Sequence, residues 1–174
     1  MPRPNVLVFF TDQQRWDSTG VHGNPLELTP NFDRVARAGT DVHHSFTCQP
    51  VCGPARACLQ TGLYQNRTGC YRNAIPLPRG ARTLAHHFND AGYHTGYIGK
   101  WHLAEPAADR GPVPVDQRGG YRHWLAANAL EFTSDAYRTR LFDADNRPVD
   151  LPGYRADALT DAAIRFVDDR VRAR

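Results

Sequence analysis

Residues 83–102 read TLAHHFNDAGYHTGYIGKWH, and they decide the fold class. Thr83 stands where an N-cap oxygen is wanted, before Leu84, His87 and Phe88, whose helical spacing predicts one buried face. Gly92 stops that helix. Residues 93–98 then read as a strand ending at Gly99, with Lys100 and His102 just beyond it. A helix passing straight into a strand with polar chemistry at its carboxyl end is a building unit of α/β sheets.

The same grammar extends upstream. NVLVFF (5–10) is short, apolar and rich in β-branched and aromatic residues, as expected of a strand buried on both faces. LTPNFDRVARAG (28–39) follows with Thr29 as N-cap, Pro30 at the first helical position, Phe32, Val35 and Ala36 on one face, and Gly39 at the end. Residues 41–47 read as a second strand, interrupted by His43 and His44. A helix with Pro54 in its first turn then runs to Thr61. Downstream, Pro, Gly and charge mark 105–120 as a long surface loop, and a short helix is expected over 124–130. Residues 155–172 form the strongest amphipathic pattern, with Leu159, Ala162, Ala163, Phe166 and Val167 on one face. No internal repeat is present. Strand, helix, strand, helix, strand with short joins predicts an α/β fold with a mostly parallel sheet flanked by helices.

Size and composition narrow the function. A chain of 174 residues suits one domain. Its net charge of +3 is carried almost wholly by arginine, since Lys100 is the sole lysine. No basic block interleaved with aromatics points to nucleic acid. No stretch reaches the length of a membrane span, and the N-terminus lacks the pattern of a secretory signal, so a cytoplasmic chain with reduced thiols is expected. Cys48, Cys52, Cys58 and Cys70 match no paired zinc template, and His22, His86, His87, His94 and His123 show no ligand pairing.

In a parallel sheet, ligands gather at the carboxyl ends of strands. Asp12, Cys52, and Lys100 with His102 would all arrive there. Asp12 and Gln13 offer the oxygens a hard cation prefers. Cys52 sits at a helix N-terminus, where partial positive charge stabilises an anion, and Arg56 lies one turn inside on the same face. Lys100 and His102, two apart in an extended segment, would project to one side while Trp101 packs away. The set describes an anion site with cations, an oxygen-bound metal and a cysteine in a nucleophile's place. An anionic ester hydrolase is favoured over a thiol oxidoreductase, and spacing takes the reading no further.

Two segments resemble signatures of the sulfatase family in the alkaline phosphatase superfamily. CGPARACLQTG (52–62) is similar to its Cys-x-Pro-x-Arg motif, and GYHTGYIGKWH (92–102) to its second motif. NVLVFFTDQQ, LTPNFDRVARAG and the late ALTDAAIRFVDD also resemble that family. The resemblance implies that Cys52 is oxidised to formylglycine by a formylglycine-generating enzyme that reads the neighbouring Pro and Arg. It further implies that Asp12 and modified Cys52, with Gln13, bind a divalent ion, Ca2+ before Mg2+ or Mn2+. By the same resemblance Arg56 stabilises the formylglycine end, Lys100 contacts that group and the sulfate, and His102 hydrogen-bonds the hydrated aldehyde. The substrate implied is a small-molecule sulfate ester, with no nucleic-acid or membrane partner and oligomerisation left open.

The chain departs from the pattern in three ways. Asp12-Gln13 replaces the double aspartate common in the family, which resembles the choline-sulfatase and phosphonate monoester hydrolase branch. Gln60 stands where the motif is usually apolar. Family members are also considerably longer and draw further metal ligands from their later half. The chain therefore reads as the N-terminal part of a sulfatase, inactive alone and prone to self-association. A phosphonate or phosphate ester hydrolase and a non-catalytic remnant are the alternatives.

Overall fold

The computed structural model describes residues 3–173, and the chain divides into two compact units, Met1–Phe46 and Thr47–Arg174. In the first unit, 3₁₀ turns at Trp16–Ser18 and Gly20–His22 precede helix α1, Pro30–Ala38. Pro30 opens α1 as expected, but the Thr29 hydroxyl does not cap it. That hydroxyl donates to Asp33 Oδ1 at 3.0 Å and accepts from the Gly20 N–H at 3.0 Å, while Val21 N–H reaches the same carboxylate at 3.0 Å. The knot buries Asp33, whereas Phe32 and Val35, expected on a buried face, are exposed.

Neither strand expected in this unit forms. Residues 5–10 and 41–47 lie outside every strand of the described residues, and Val6, Leu7, Val8, Phe9 and Phe10 are each at least 50% exposed. The physical reason is that an interior strand has no order of its own. It needs hydrogen-bonding neighbours on both edges and cover on both faces. The apolar run is real, but the described residues of this unit supply neither condition.

The second unit contains α2 (Cys52–Thr61), α3 (Gln65–Thr68), α4 (Leu84–Asp90), β1 (Gly96–Lys100), β2 (His123–Ala127), α5 (Leu130–Thr133), β3 (Arg138–Phe142), β4 (Pro148–Pro152) and α6 (Arg155–Arg172). The strands form one sheet in the order β1-β2-β3-β4. β1 and β2 are parallel from Gly96↔His123 to Lys100↔Ala127, while β2–β3 and β3–β4 are antiparallel. The α/β class stands, but the expected mostly parallel sheet is mixed. Its antiparallel half comes from a hairpin that lacks a clean alternating pattern. Asp143 closes that hairpin by accepting Asp145 N–H and Arg147 N–H, each at 2.9 Å, with Asn146 at φ 65°.

The helix expected over 124–130 is strand β2 followed by the short α5. Ala126 and Ala127 favour helix by intrinsic propensity, but pairing with β1 and complete burial override it. The surface loop expected over 105–120 is partly core. Val113 is fully buried, and Arg118 lies under it with Nε donating to Val113 O at 2.9 Å and Nη1 to Ala144 O at 2.8 Å. In α4, Thr83 N–H donates to His86 Nδ1 at 3.1 Å, so His86 serves the helix start. Ala85 is the residue α4 buries, and His87, expected inside, is exposed.

One apolar cluster gathers Ala57, Cys70, Trp101, Leu103, Val113 and Trp124. The other gathers Leu130, Leu141, Leu151, Ala158 and Ala162 beneath α6. Phe166 of α6 lies over Gly96, where an added Cβ would stand 2.6 Å from its ring, so only glycine permits this approach. Val167, expected on the same face, is exposed. No helix among the described residues is long and apolar enough to cross a membrane.

His94 and His123 flank Phe166 with ring centroids 6.1 and 4.5 Å away. Burial, then neighbouring cations, pushes both imidazoles below their ordinary pKa, as it does His102. Each depressed histidine binds its proton more readily in the unfolded chain, so stability is full above the unfolded value and falls as pH drops through it. We expect the thermal midpoint to fall between about pH 7.5 and about pH 5.5, around the unperturbed histidine value. His94→Gln/His123→Gln should flatten that slope. An unchanged slope in the double variant would show that these histidines do not drive it.

Candidate functional site

The site is built where β1 and β2 end and α2 begins. Cys52 is the first residue of α2, after the extended Val51, so its side chain lies at the positive end of a helix. Gly53 N–H is tied to Asn73 Oδ1 at 2.8 Å, which anchors that start. One turn on, Arg56 is 6% exposed, and its Nη1 donates to Lys100 O at 2.7 Å and to Tyr97 Oη at 3.4 Å. Tyr97 Oη itself donates to Lys100 O at 2.5 Å. The guanidinium and the phenol together clamp the last carbonyl of β1.

Lys100 therefore leaves the sheet in a fixed direction. Its Nζ lies 3.7 Å from Cys52 Sγ and 3.1 Å from Glu131 Oε2, with a side chain only 10% exposed. Gly99 just before it has φ 114°, a conformation that side chains resist, so the strand can turn its final residue toward α2. The sequence expectation that Lys100 and His102 share one extended segment is not met. β1 stops at Lys100, and His102 takes the left-handed φ of 56° while its N–H donates to Asn128 O at 2.8 Å. The imidazole remains within the same electrostatic field. Burial first, then Lys100 and Arg56, push its pKa down, against the pull of Glu131 and Asp109. Its Nδ1 is buried and has no hydrogen-bond partner among the described residues.

Trp101 faces away as expected, fully buried, with Nε1 donating to Gln117 O at 2.9 Å. Gln60, unusual for the motif, is buried and accepts from Tyr121 Oη at 2.8 Å, which explains a polar residue at a core position. The other cysteines have structural settings. Cys70 is buried and donates to Pro76 O at 3.2 Å, and Cys48 and Cys58 meet with sulfurs 2.9 Å apart. Burial and the Cys48 thiol push Cys58 up to about 11.

Cys52, Arg56, Lys100 and His102 thus converge within the second unit. Asp12 and Gln13 belong to the first unit, in an exposed bend where Gln14 N–H donates to Asp12 O at 2.6 Å. Sequence reasoning missed two contributors. Glu131 forms the ion pair with Lys100; burial opposes its ionisation, yet its own backbone N–H and the ammonium hold its carboxyl below the usual range. Asn128, 1% exposed, accepts from Ala104 N–H at 3.0 Å and donates to Asp109 Oδ1 at 2.5 Å, pinning the turn that carries His102. Reading 124–130 as a helix hid both, because a strand there would have brought its own carboxyl end beside Lys100.

This arrangement can hold a tetrahedral oxyanion. The Lys100 ammonium stands beside the half-buried Cys52 side chain at a helix start, and the Arg56 guanidinium and the His102 imidazole lie within the same electrostatic field. Comparisons with known proteins show the family. The family model for sulfatases matches residues 4–173. The chain is 46% identical over 104 residues to the uncharacterized sulfatase YidJ of Escherichia coli, covering 59% of this chain and 21% of that protein. It is 30% identical over 168 residues to an N-acetylglucosamine-6-O-sulfatase of Bacteroides thetaiotaomicron, covering 97% of this chain and 28% of the relative. It therefore spans less than a third of the length of these two curated relatives. A crystal structure of a Bacteroides fragilis protein assigned as a sulfatase, yidJ, superposes with a TM-score of 0.79 at 27% identity, covering 91% of this chain and 39% of that one. With Cys52 of one motif beside Lys100 of the other and a family match along nearly its whole length, the chain belongs to the sulfatase family.

Proposed function

We propose that a protein carrying this chain hydrolyses sulfate monoesters of small molecules, carbohydrate sulfates among them, with Cys52 converted to formylglycine and a divalent cation bound. The observation that carries this reading is the half-buried Cys52 at a helix start, 3.7 Å from the Lys100 ammonium. An oxygen-bearing side chain fits there, because every charged group that faces it from α2 and β1 is a cation. Asp12 and Gln13 present carboxylate and amide oxygens, a donor set suited to a hard dication such as Ca2+, with Mg2+ or Mn2+ as alternatives. When present, the hydrated aldehyde supplies a nucleophilic oxygen and the cation neutralises negative oxygens nearby.

The chain's own residues do the rest. Lys100 neutralises charge on the sulfate oxygens, and Arg56 and Tyr97 fix it through its carbonyl. Glu131 balances the ammonium while the site is empty of anion and keeps it from swinging into solvent. Burial and Lys100 push the His102 pKa down, and its buried Nδ1, without a hydrogen-bond partner among the described residues, serves to hold a hydrogen bond at the residue-52 side chain.

Co-production with a formylglycine-generating enzyme and peptide mass analysis test this reading. A loss of about 18 Da is expected at Cys52, the mass difference between a thiol and an aldehyde that sets this product apart from ordinary thiol oxidation. Cys48, Cys58 and Cys70 should stay unchanged. Aryl sulfate should be turned over faster than aryl phosphonate. Preference for the phosphonate would favour the alternative that Gln13 raises, and an unconverted Cys52 in a fully active protein would overturn the assignment.

A further inference from the structure

The first unit carries a second constellation outside the proposed anion site. His22, Asp41 and His43 each present a ligand atom, all within 4.8 Å of one another. We infer that these three residues form a transition-metal site of zinc type, with two imidazoles and one carboxylate as ligands. This does not rest on the sulfatase reading.

The hydrogen bonds around His22 carry the argument. The Thr19 hydroxyl stands 2.7 Å from His22 Nδ1 and 3.3 Å from Trp16 O, a setting in which it can accept from Nδ1–H. Nε2 then faces Asp41 Oδ2, 3.2 Å away, and the two atoms can serve one cation. Two ligands on a tetrahedral ion with bonds of about 2.0 Å stand about 3.3 Å apart, so the observed spacing matches one edge of such a site. An imidazole that ligates through one nitrogen and donates from the other to an oxygen is the usual outer arrangement of zinc-bound histidine.

The surroundings hold the rings in place. Trp16 stacks on His22 with centroids 4.4 Å apart and meets His43 edge-on at 4.9 Å. The His22 side chain is only 7% exposed, while Asp41 and His43 face outward, leaving an open position for water or a further ligand. Need is also visible. Among the described residues of this unit, Thr19 and Asp33 are buried and no apolar side chain is. A unit of this size without an apolar core is one that a metal can staple, here by joining the 19–22 turn to the segment after α1.

The test uses the full 174-residue chain, Zn2+ calorimetry and Co2+ absorption spectra. One equivalent is expected, with a d–d spectrum of low coordination number and no thiolate charge-transfer band. His43→Ala, at an exposed position, should weaken binding by about 100-fold or more, and Thr19→Val by about 10- to 100-fold through loss of the outer hydrogen bond. His22→Gln should behave like His43→Ala. Asp12→Asn and Cys52→Ala should bind as the unsubstituted chain does. The inference is overturned if excess metal gives neither heat nor spectrum, which would mean that a proton joins His22 to Asp41. It is equally overturned if His43→Ala binds normally, or if binding is lost in Cys48→Ser and kept in His43→Ala.

Discussion

Cys52→Ala is expected to lower sulfate-ester hydrolysis on the order of 10⁴-fold or more, the scale on which loss of a covalent nucleophile acts. Lys100→Ala should cost about 10²- to 10³-fold, as removal of a group aimed at developing negative charge does. The two effects should be far from additive. Lys100 Nζ stands 3.7 Å from Cys52 Sγ, so under the proposed function both residues serve the same reacting atoms. Lys100→Arg should not restore the rate. A planar fork is longer than an ammonium, and Glu131 already occupies the other side of Nζ at 3.1 Å. Initial rates on an aryl sulfate, measured for each variant in the same protein carrying this chain, decide the matter. Cys52→Ala with near-normal turnover would refute the role given to Cys52. A Lys100→Ala rate equal to that of the parent would remove Lys100 from the anion site.

The 174-residue chain by itself is expected to self-associate. Leu7 and Phe9 are 78% and 77% exposed, and Phe46 is 88% exposed. Phe32 and Val35 lie bare along α1. Surface of this kind is rarely left open by a monomeric protein. Burying a single Leu or Phe is worth about 1.5–3 kcal/mol, so a Leu7→Asp/Phe9→Asp double variant should lower the association constant by about 100-fold or more. Sedimentation velocity over a concentration series reads the change directly. A chain that sediments as a monomer at every concentration, or a double variant that associates like the parent, would show that this surface is not sticky.

Which features were legible in the residues follows from how far each interaction reaches. The helices at 30–38, 52–61, 84–90 and 155–172 all lie where their starts and stops predicted, because Pro30, Pro54 and the Thr83–His86 pair act within one turn. Cys52 and Arg56 share a face for the same reason: the α-helix sets an i, i+4 relation whatever surrounds it. The two motifs in order were enough to imply the family. Apolar content alone did not make strands. Residues 5–10 carry the strongest strand-like run in the chain and form none, while the alanine-rich 123–127 segment, read mainly as helix, pairs along its whole length with β1.

What the residues determined by themselves was local: helix limits, the anion-favouring start of α2, and the cationic character of Arg56 and Lys100. Tertiary structure alone decided that the sheet is mixed and that His102 turns left-handed. It also decided that Asn128 holds that turn and that Glu131 pairs with Lys100. A helix satisfies its hydrogen bonds within four residues, so its signals are written nearby. A strand end, an ion pair across 31 positions and a buried imidazole depend on partners that only the folded chain brings together.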